Sequence, residues 1–115
     1  MSKDPNRLAD YLDHILTAIH RIYSYCEDID DIEFLNNTLI QDAVIRNFEV
    51  IGEASKNIDR KYPEFFQENP DLPLVNAYEM RNALAHGYFK VDLDILWTTI
   101  NKDLPALEKQ IQDLI

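Results

Sequence analysis

The sequence predicts an all-α protein, an antiparallel bundle of four or five helices. Three observations carry that prediction. Apolar residues recur at steps of three and four through long stretches, helix-start residues precede several of those stretches, and no two segments of alternating polarity are joined by a hairpin turn.

The first helix is expected from Asp4 onward, with Pro5 in the first turn, where its missing N–H costs nothing. Leu8, Tyr11, Leu12, Ile15, Leu16, Ile19, Ile22, Tyr23 and Cys26 fall on one face and look inward. Asp13, Thr17, His20 and Ser24 take the other side, and the acidic run from Glu27 to Asp31 ends the regularity. Asp30 and Glu33 have the spacing of a capping box before Phe34 and Leu35, which predicts one short helical turn packing that apolar pair on the bundle. Thr38 and Gln41 repeat the spacing ahead of a second long helix, whose Ile40, Val44, Phe48, Ile51 and Ile58 continue up to Lys61. Gly52 in its middle costs about 1 kcal/mol against alanine, so a close helix crossing is expected there.

Tyr62-Pro63, Asn69-Pro70 and Leu72-Pro73 push the preceding residues out of helical geometry, and the segment is expected to be mostly loop. A third helix is expected from near Pro73 through Val75, Tyr78, Met80 and Leu84, with Gly87 as its carboxyl-end residue. Asp92 can cap a fourth, whose inward stripe is Ile95, Leu96, Ile100, Leu104, Leu107, Ile111 and Ile115. Pro105 deprives the Asn101 carbonyl of its donor, so a kink or a break into two helices is expected there.

At 115 residues the chain has the size of one domain, spanning residues 1–115. A chain of this length buries roughly 65% of its unfolded surface, enough for a core without staples. Cys26 is the single cysteine, which excludes an intrachain disulfide and a multi-cysteine metal site. Met1 to Arg7 hold no apolar signal core, and no apolar run reaches the roughly 18 residues of a membrane span. A soluble, cytoplasmic protein without a membrane partner is expected.

Eleven Lys and Arg against 21 Asp and Glu give a net charge of −10, the wrong sign for holding phosphate backbones through the overall field. Any nucleic-acid contact must be local. The acid excess suits a basic partner, although surface acids commonly serve only solubility. Arg46, Lys56, Arg60 and Lys61 are the one concentration of positive charge away from the third helix, placed either to border a nucleic-acid groove or to complement a helix dipole. Gly52 and Gly87 are the only glycines, so no phosphate-cradling loop exists. His14 and His20 beside Asp10 and Asp13 hint at a metal site, yet a di-iron bundle needs glutamate three residues before histidine. Tyr11, Thr17 and Ala83 stand three before His14, His20 and His86. Surface histidines, no metal and no cofactor are the expectation.

The densest set of reactive side chains runs from Met80 to Asp92 and contains Arg81, Asn82, His86 and Tyr88. At 100° per residue, Arg81 and His86 point about 140° apart, whereas Asn82 and His86 share a face. Arg81 and His86 converge only if the helix unwinds at His86 or a second copy of the chain completes the site. His86 in a last turn is favoured as imidazolium by the helix dipole. A histidine that titrates near neutrality suits acid–base catalysis, and a neighbouring guanidinium can hold a phosphate. That kit is sufficient to cleave RNA without metal: the 2′-hydroxyl attacks phosphorus, His86 moves protons, Arg81 binds nonbridging oxygens and Asn82 orients either group. On spacing alone, a histidine that caps carbonyls and aromatics that pack are the commoner outcome.

The string Arg81-Asn82-Ala83-Leu84-Ala85-His86-Gly87-Tyr88 resembles the Arg-x4-His-x-Tyr signature of HepT-like toxins in the HEPN superfamily. Arg7 to Ile19 look like their first helix, and Gln41 to Arg46 with Ile51-Gly52-Glu53-Ala54 look like their second. Tyr88 to Asp92, Leu96-Trp97 and Asp103-Leu104-Pro105 look like their carboxyl half. The resemblance implies a helical homodimer with two motifs facing one cleft, and a metal-independent endoribonuclease acting as the toxin of a toxin–antitoxin system. By position it makes Arg81 and His86 the catalytic pair and Asn82 the polar residue beside it. Tyr88 becomes the tyrosine that a cognate minimal nucleotidyltransferase antitoxin modifies with AMP, adding bulk and negative charge that repel RNA. Leu74 and Glu79 stand where the family often has tryptophan and glycine; Glu79 would share a face with Asn82 and His86 and either pair with the imidazolium or repel phosphate. The rival expectation is a noncatalytic helical adaptor whose acidic surface docks a nucleotidyltransferase.

Overall fold

The computed structural model describes residues 5–74, 77, 79 and 93–115, and among them every regular element is helical. The chain forms α1 (Pro5–Cys26), α2 (Asp31–Leu35), α3 (Thr38–Lys61) and α4 (Pro63–Glu68), then α5 (Leu93–Thr98), a π-helical turn (Thr99–Asp103) and α6 (Leu104–Leu114). Leu74, Ala77 and Glu79 are also helical, and the Ala77 N–H donates to the Pro73 carbonyl at 3.3 Å. The expected third helix otherwise lies outside the described residues.

The inward stripe of α1 behaves as its spacing requires: Tyr11, Leu12, Ile15, Ile19, Ile22 and Cys26 are buried, and Leu8, Leu16 and Tyr23 pack against them. The partner is α3, which buries Val44, Phe48, Ile51, Ala54 and Ile58; among the described residues these two helices form the most extensive pair. They run antiparallel, since Tyr11 in the first half of α1 meets Lys61 at the end of α3. Gly52 is buried and α3 passes through it unbroken. Among the described residues two polar side chains share this core, and each is satisfied within its own helix: Asn47 Nδ2 donates to the Ala43 carbonyl at 2.9 Å and Ser55 Oγ to the Ile51 carbonyl at 2.7 Å.

Capping fixes the ends of the short helices. Asp30 caps α2, its Oδ1 accepting from the Glu33 N–H at 2.8 Å. Phe34 of the expected apolar pair is buried and stacks on Trp97 of α5 with ring centroids 5.1 Å apart. Leu35 faces solvent instead, because a single turn cannot bury two adjacent residues. The start of α3 also differs from expectation. Asn37, not Thr38, is the cap, its Oδ1 accepting from the Ile40 N–H at 3.0 Å. Gln41 Nε2 instead donates to the Phe34 carbonyl at 2.8 Å, tying the end of α2 to α3.

The proline-rich segment is not mostly loop. Tyr62 leaves helical geometry at φ −133° as a residue before proline should, but Pro63 then opens α4, a position where its fixed φ and missing N–H are assets. Near Pro105 the chain neither breaks nor simply kinks. The Leu104 N–H reaches back five residues to the Thr99 carbonyl, and Pro105 sits in the first turn of α6. Proline cannot donate to the Asn101 carbonyl, so the helix widens for one turn and resumes. Thr99 Oγ1 and Asn101 Nδ2 add bonds to the Ile95 and Trp97 carbonyls, at 2.9 and 2.8 Å. The predicted stripe is kept at Leu96, Ile100, Leu104, Leu107 and Ile111, whereas Ile95 and Ile115 are 60% and 71% exposed. Ile115 lies past the last helical residue, and Ile95 sits a quarter turn from Leu96.

Candidate functional site

Arg81, Asn82, His86 and Tyr88, the site residues expected from sequence, lie outside the described residues, as does the amino end of the expected fourth helix at Asp92. Glu79 is described: it is helical and exposed. Among the described residues, a groove lies between α1 and α3.

That groove encloses about 260 Å³ and is lined by Tyr11, His14, Arg46, Glu49, Val50, Glu53, Ala54 and Asn57. Its construction follows from helical spacing. Arg7, Tyr11 and His14 stand at i, i+4 and i+7 on α1, and Arg46, Glu49, Val50, Glu53 and Asn57 recur at threes and fours on α3. Antiparallel packing then sets the start of α1 against the end of α3. At that end Lys61 Nζ donates to Tyr11 Oη at 2.7 Å and lies 5.3 Å from the ring centroid. The Arg7 guanidinium approaches the same ring, its carbon 5.9 Å from the centroid. His14 meets Tyr11 edge-on with centroids 6.4 Å apart.

Electrostatics at this end follow from two cations on one phenol. The hydrogen bond from Lys61, then that from Arg7, holds the Tyr11 hydroxyl below its ordinary pKa. Arg7 is correspondingly raised by its bond to Tyr11. Sequence patterning assigns Tyr11 to the core and His14 and His20 to the surface. Tyr11 is buried as expected, yet it also carries this polar contact; Lys61 is fifty residues away, so only the fold reveals the pair. His20 is exposed but engaged, with Nε2 at 2.7 Å from Glu108 Oε2, joining α1 to α6.

A second groove of about 340 Å³ lies between the end of α1 and the π-helical turn, lined by Tyr23, Cys26, Glu27, Ile29, Trp97, Ile100, Asn101 and Pro105. Burial raises the Cys26 thiol, leaving it protonated and unreactive. Burial, followed by the negative charge of Glu108, pushes Tyr23 up to about 12.

The family model described as ribonuclease HepT-like matches residues 15–114. The chain belongs to the HepT-like family. Among curated HepT-like relatives, a probable ribonuclease HepT of Thermococcus cleftensis is 40% identical over 105 residues, covering 91% of this chain and 93% of the relative. A candidate RNase of Methanocaldococcus jannaschii is 37% identical over 102 residues, covering 89% of this chain and 91% of its own length. A second protein of that organism, named as a gamma-glutamylcyclotransferase and candidate RNase, is 40% identical over 101 residues; the chain spans 44% of its length. No solved structure gives a significant match. Among the described residues, no helix is long and apolar enough to cross a membrane.

Proposed function

We propose that this HepT-like chain is a homodimeric, metal-independent endoribonuclease acting as the toxin of a toxin–antitoxin pair. One observation carries the reading: the ribonuclease HepT-like match runs from residue 15 to residue 114 and so takes in the string from Arg81 to Tyr88. Arg81, Asn82 and His86 of both protomers surround one phosphodiester. His86 accepts the 2′-hydroxyl proton as the 2′-oxygen bonds to phosphorus, and the bond from phosphorus to the 5′-oxygen breaks. The leaving 5′-oxygen takes up a proton, giving a 2′,3′-cyclic phosphate and a 5′-hydroxyl end. Arg81 neutralises charge on the nonbridging oxygens, and Asn82 orients the phosphate or the imidazole.

Tyr88, two residues beyond His86, is the point at which a minimal nucleotidyltransferase antitoxin attaches AMP. An added phosphodiester there repels RNA from a site whose attraction is only local in a chain of net charge −10. The same acidity supports a second reading, a noncatalytic adaptor that docks the nucleotidyltransferase. RNA cleavage by wild type and His86→Ala, both in EDTA and both shown by mass spectrometry to be unmodified at Tyr88, separates them. The nuclease reading expects cleavage by wild type that His86→Ala abolishes; equal or absent cleavage in both favours the adaptor.

A further inference from the structure

We infer that Arg7, Tyr11 and Lys61 form a phosphate-binding clamp at the end of the α1–α3 groove, which holds the RNA backbone. The substrate class rests on the nuclease reading; the clamp itself rests on geometry. Lys61 Nζ donates to Tyr11 Oη at 2.7 Å, and a hydroxyl that accepts from cations still has its own hydrogen to give. Arg7 lies against the same ring from the neighbouring turn of α1, with its guanidinium carbon 5.9 Å from the centroid.

Neither cation has a carboxylate within salt-bridge distance among the described residues, although the chain carries ten more acids than bases. Like charges set on one oxygen repel each other, and an anion placed between them removes that cost. A phosphate has the acceptors for all three donors: a fork from Arg7, the ammonium of Lys61 and the Tyr11 hydroxyl. Further along α3 the groove is lined by Arg46, Glu49 and Glu53, a mixed set of charges. His14, edge-on to Tyr11, stands on the groove side of the clamp.

The test measures binding, not cutting. A fluorescent single-stranded RNA of about ten nucleotides, 2′-O-methylated so that it cannot be cleaved, is titrated into the dimer by anisotropy at several salt concentrations. Arg7→Gln/Lys61→Gln is expected to weaken binding roughly tenfold and make the salt slope shallower by about one. Tyr11→Phe keeps both charges and loses a donor, with a smaller loss; Lys61→Arg retains binding. Lys109→Gln, on the exposed surface of α6, controls for net charge. Unchanged affinity in the double variant, or an equal loss in Lys109→Gln, overturns the clamp. Inorganic phosphate that shifts the Tyr11 ring signals in NMR while the oligonucleotide does not bind overturns the RNA assignment. If the double variant binds like wild type while wild type still cleaves RNA, the clamp fails and the nuclease stands. If the double variant binds weakly and wild type cleaves nothing, the clamp stands and the nuclease fails.

Discussion

Lys61 Nζ lies 2.7 Å from Tyr11 Oη, so the last turn of α3 is fastened to the second turn of α1 by a hydrogen bond between residues fifty positions apart. The bond places a cation on a phenol, and a second cation, Arg7, joins it. Tyr11 and Tyr23 are shifted in opposite directions. Lys61, then Arg7, holds Tyr11 below its ordinary value, so it is expected to ionise before Tyr23 in an ultraviolet titration. Tyr11→Phe removes that early phase. A folded pKa below the unfolded value favours the folded state increasingly as pH rises toward and through the ordinary tyrosine range, and this contribution vanishes as pH falls below it. An unchanged early phase in Tyr11→Phe refutes the assignment.

Asn37 and Thr38 give a sharper test of local structure. The Asn37 Oδ1 bond to the Ile40 N–H predicts that Asn37→Ala costs about 1 kcal/mol. Thr38→Ala, at the first helical position, is expected to stay within about 0.5 kcal/mol. Urea midpoints at constant slope measure both, and a larger loss for Thr38→Ala contradicts the cap.

These two residues also show where sequence reasoning stops. The stripes of α1 and α3 are legible because burial repeats every three to four residues over more than twenty positions. Capping-box spacing misplaces the cap by one residue because Asn37 and Thr38 both favour helix starts, and the choice falls to the Gln41 contact with the Phe34 carbonyl, a tertiary matter. Pro63 reads as a loop signal although proline equally opens helices, and only the turn at Tyr62 decides between the two. At Pro105 the lost hydrogen bond is legible but the response is not, since the widened turn draws on Thr99 and Asn101. The reactive types from Arg81 to Tyr88 are legible as a motif, whereas Arg7, Tyr11 and Lys61 become a site only once α1 and α3 are packed antiparallel.

Phe34 and Trp97 couple α2 to the carboxyl half of the chain. Phe34 is fully buried at 5.1 Å from the Trp97 ring, so Phe34→Ala removes a large aromatic volume and is expected to cost about 3–5 kcal/mol. Leu35→Ala, on the exposed side of the same turn, is expected to stay within about 0.5 kcal/mol. Trp97 is the single tryptophan, so its emission reports the site directly. Phe34→Ala shifts that emission to the red as water reaches the indole. Similar losses for the two variants contradict the one-sided packing of α2.

Tyr23 supplies the clearest pH signature in the alkaline range. Among the described residues its hydroxyl is the one buried side-chain polar atom without a hydrogen-bond partner. Such a group carries a desolvation penalty with nothing to offset it, so Tyr23→Phe is expected to be neutral or to stabilise by about 1 kcal/mol at neutral pH. Burial, then Glu108, raises the folded pKa from 10.0 to about 12, so between those values the folded state holds a proton that the unfolded chain releases. Stability therefore declines as pH rises through that window, and the contribution is fully present below it. Tyr23→Phe removes the ionisable group and flattens this part of the profile, as urea unfolding across the same pH range measures. An equally steep decline in Tyr23→Phe, or a loss of stability at neutral pH, means that the hydroxyl has a partner.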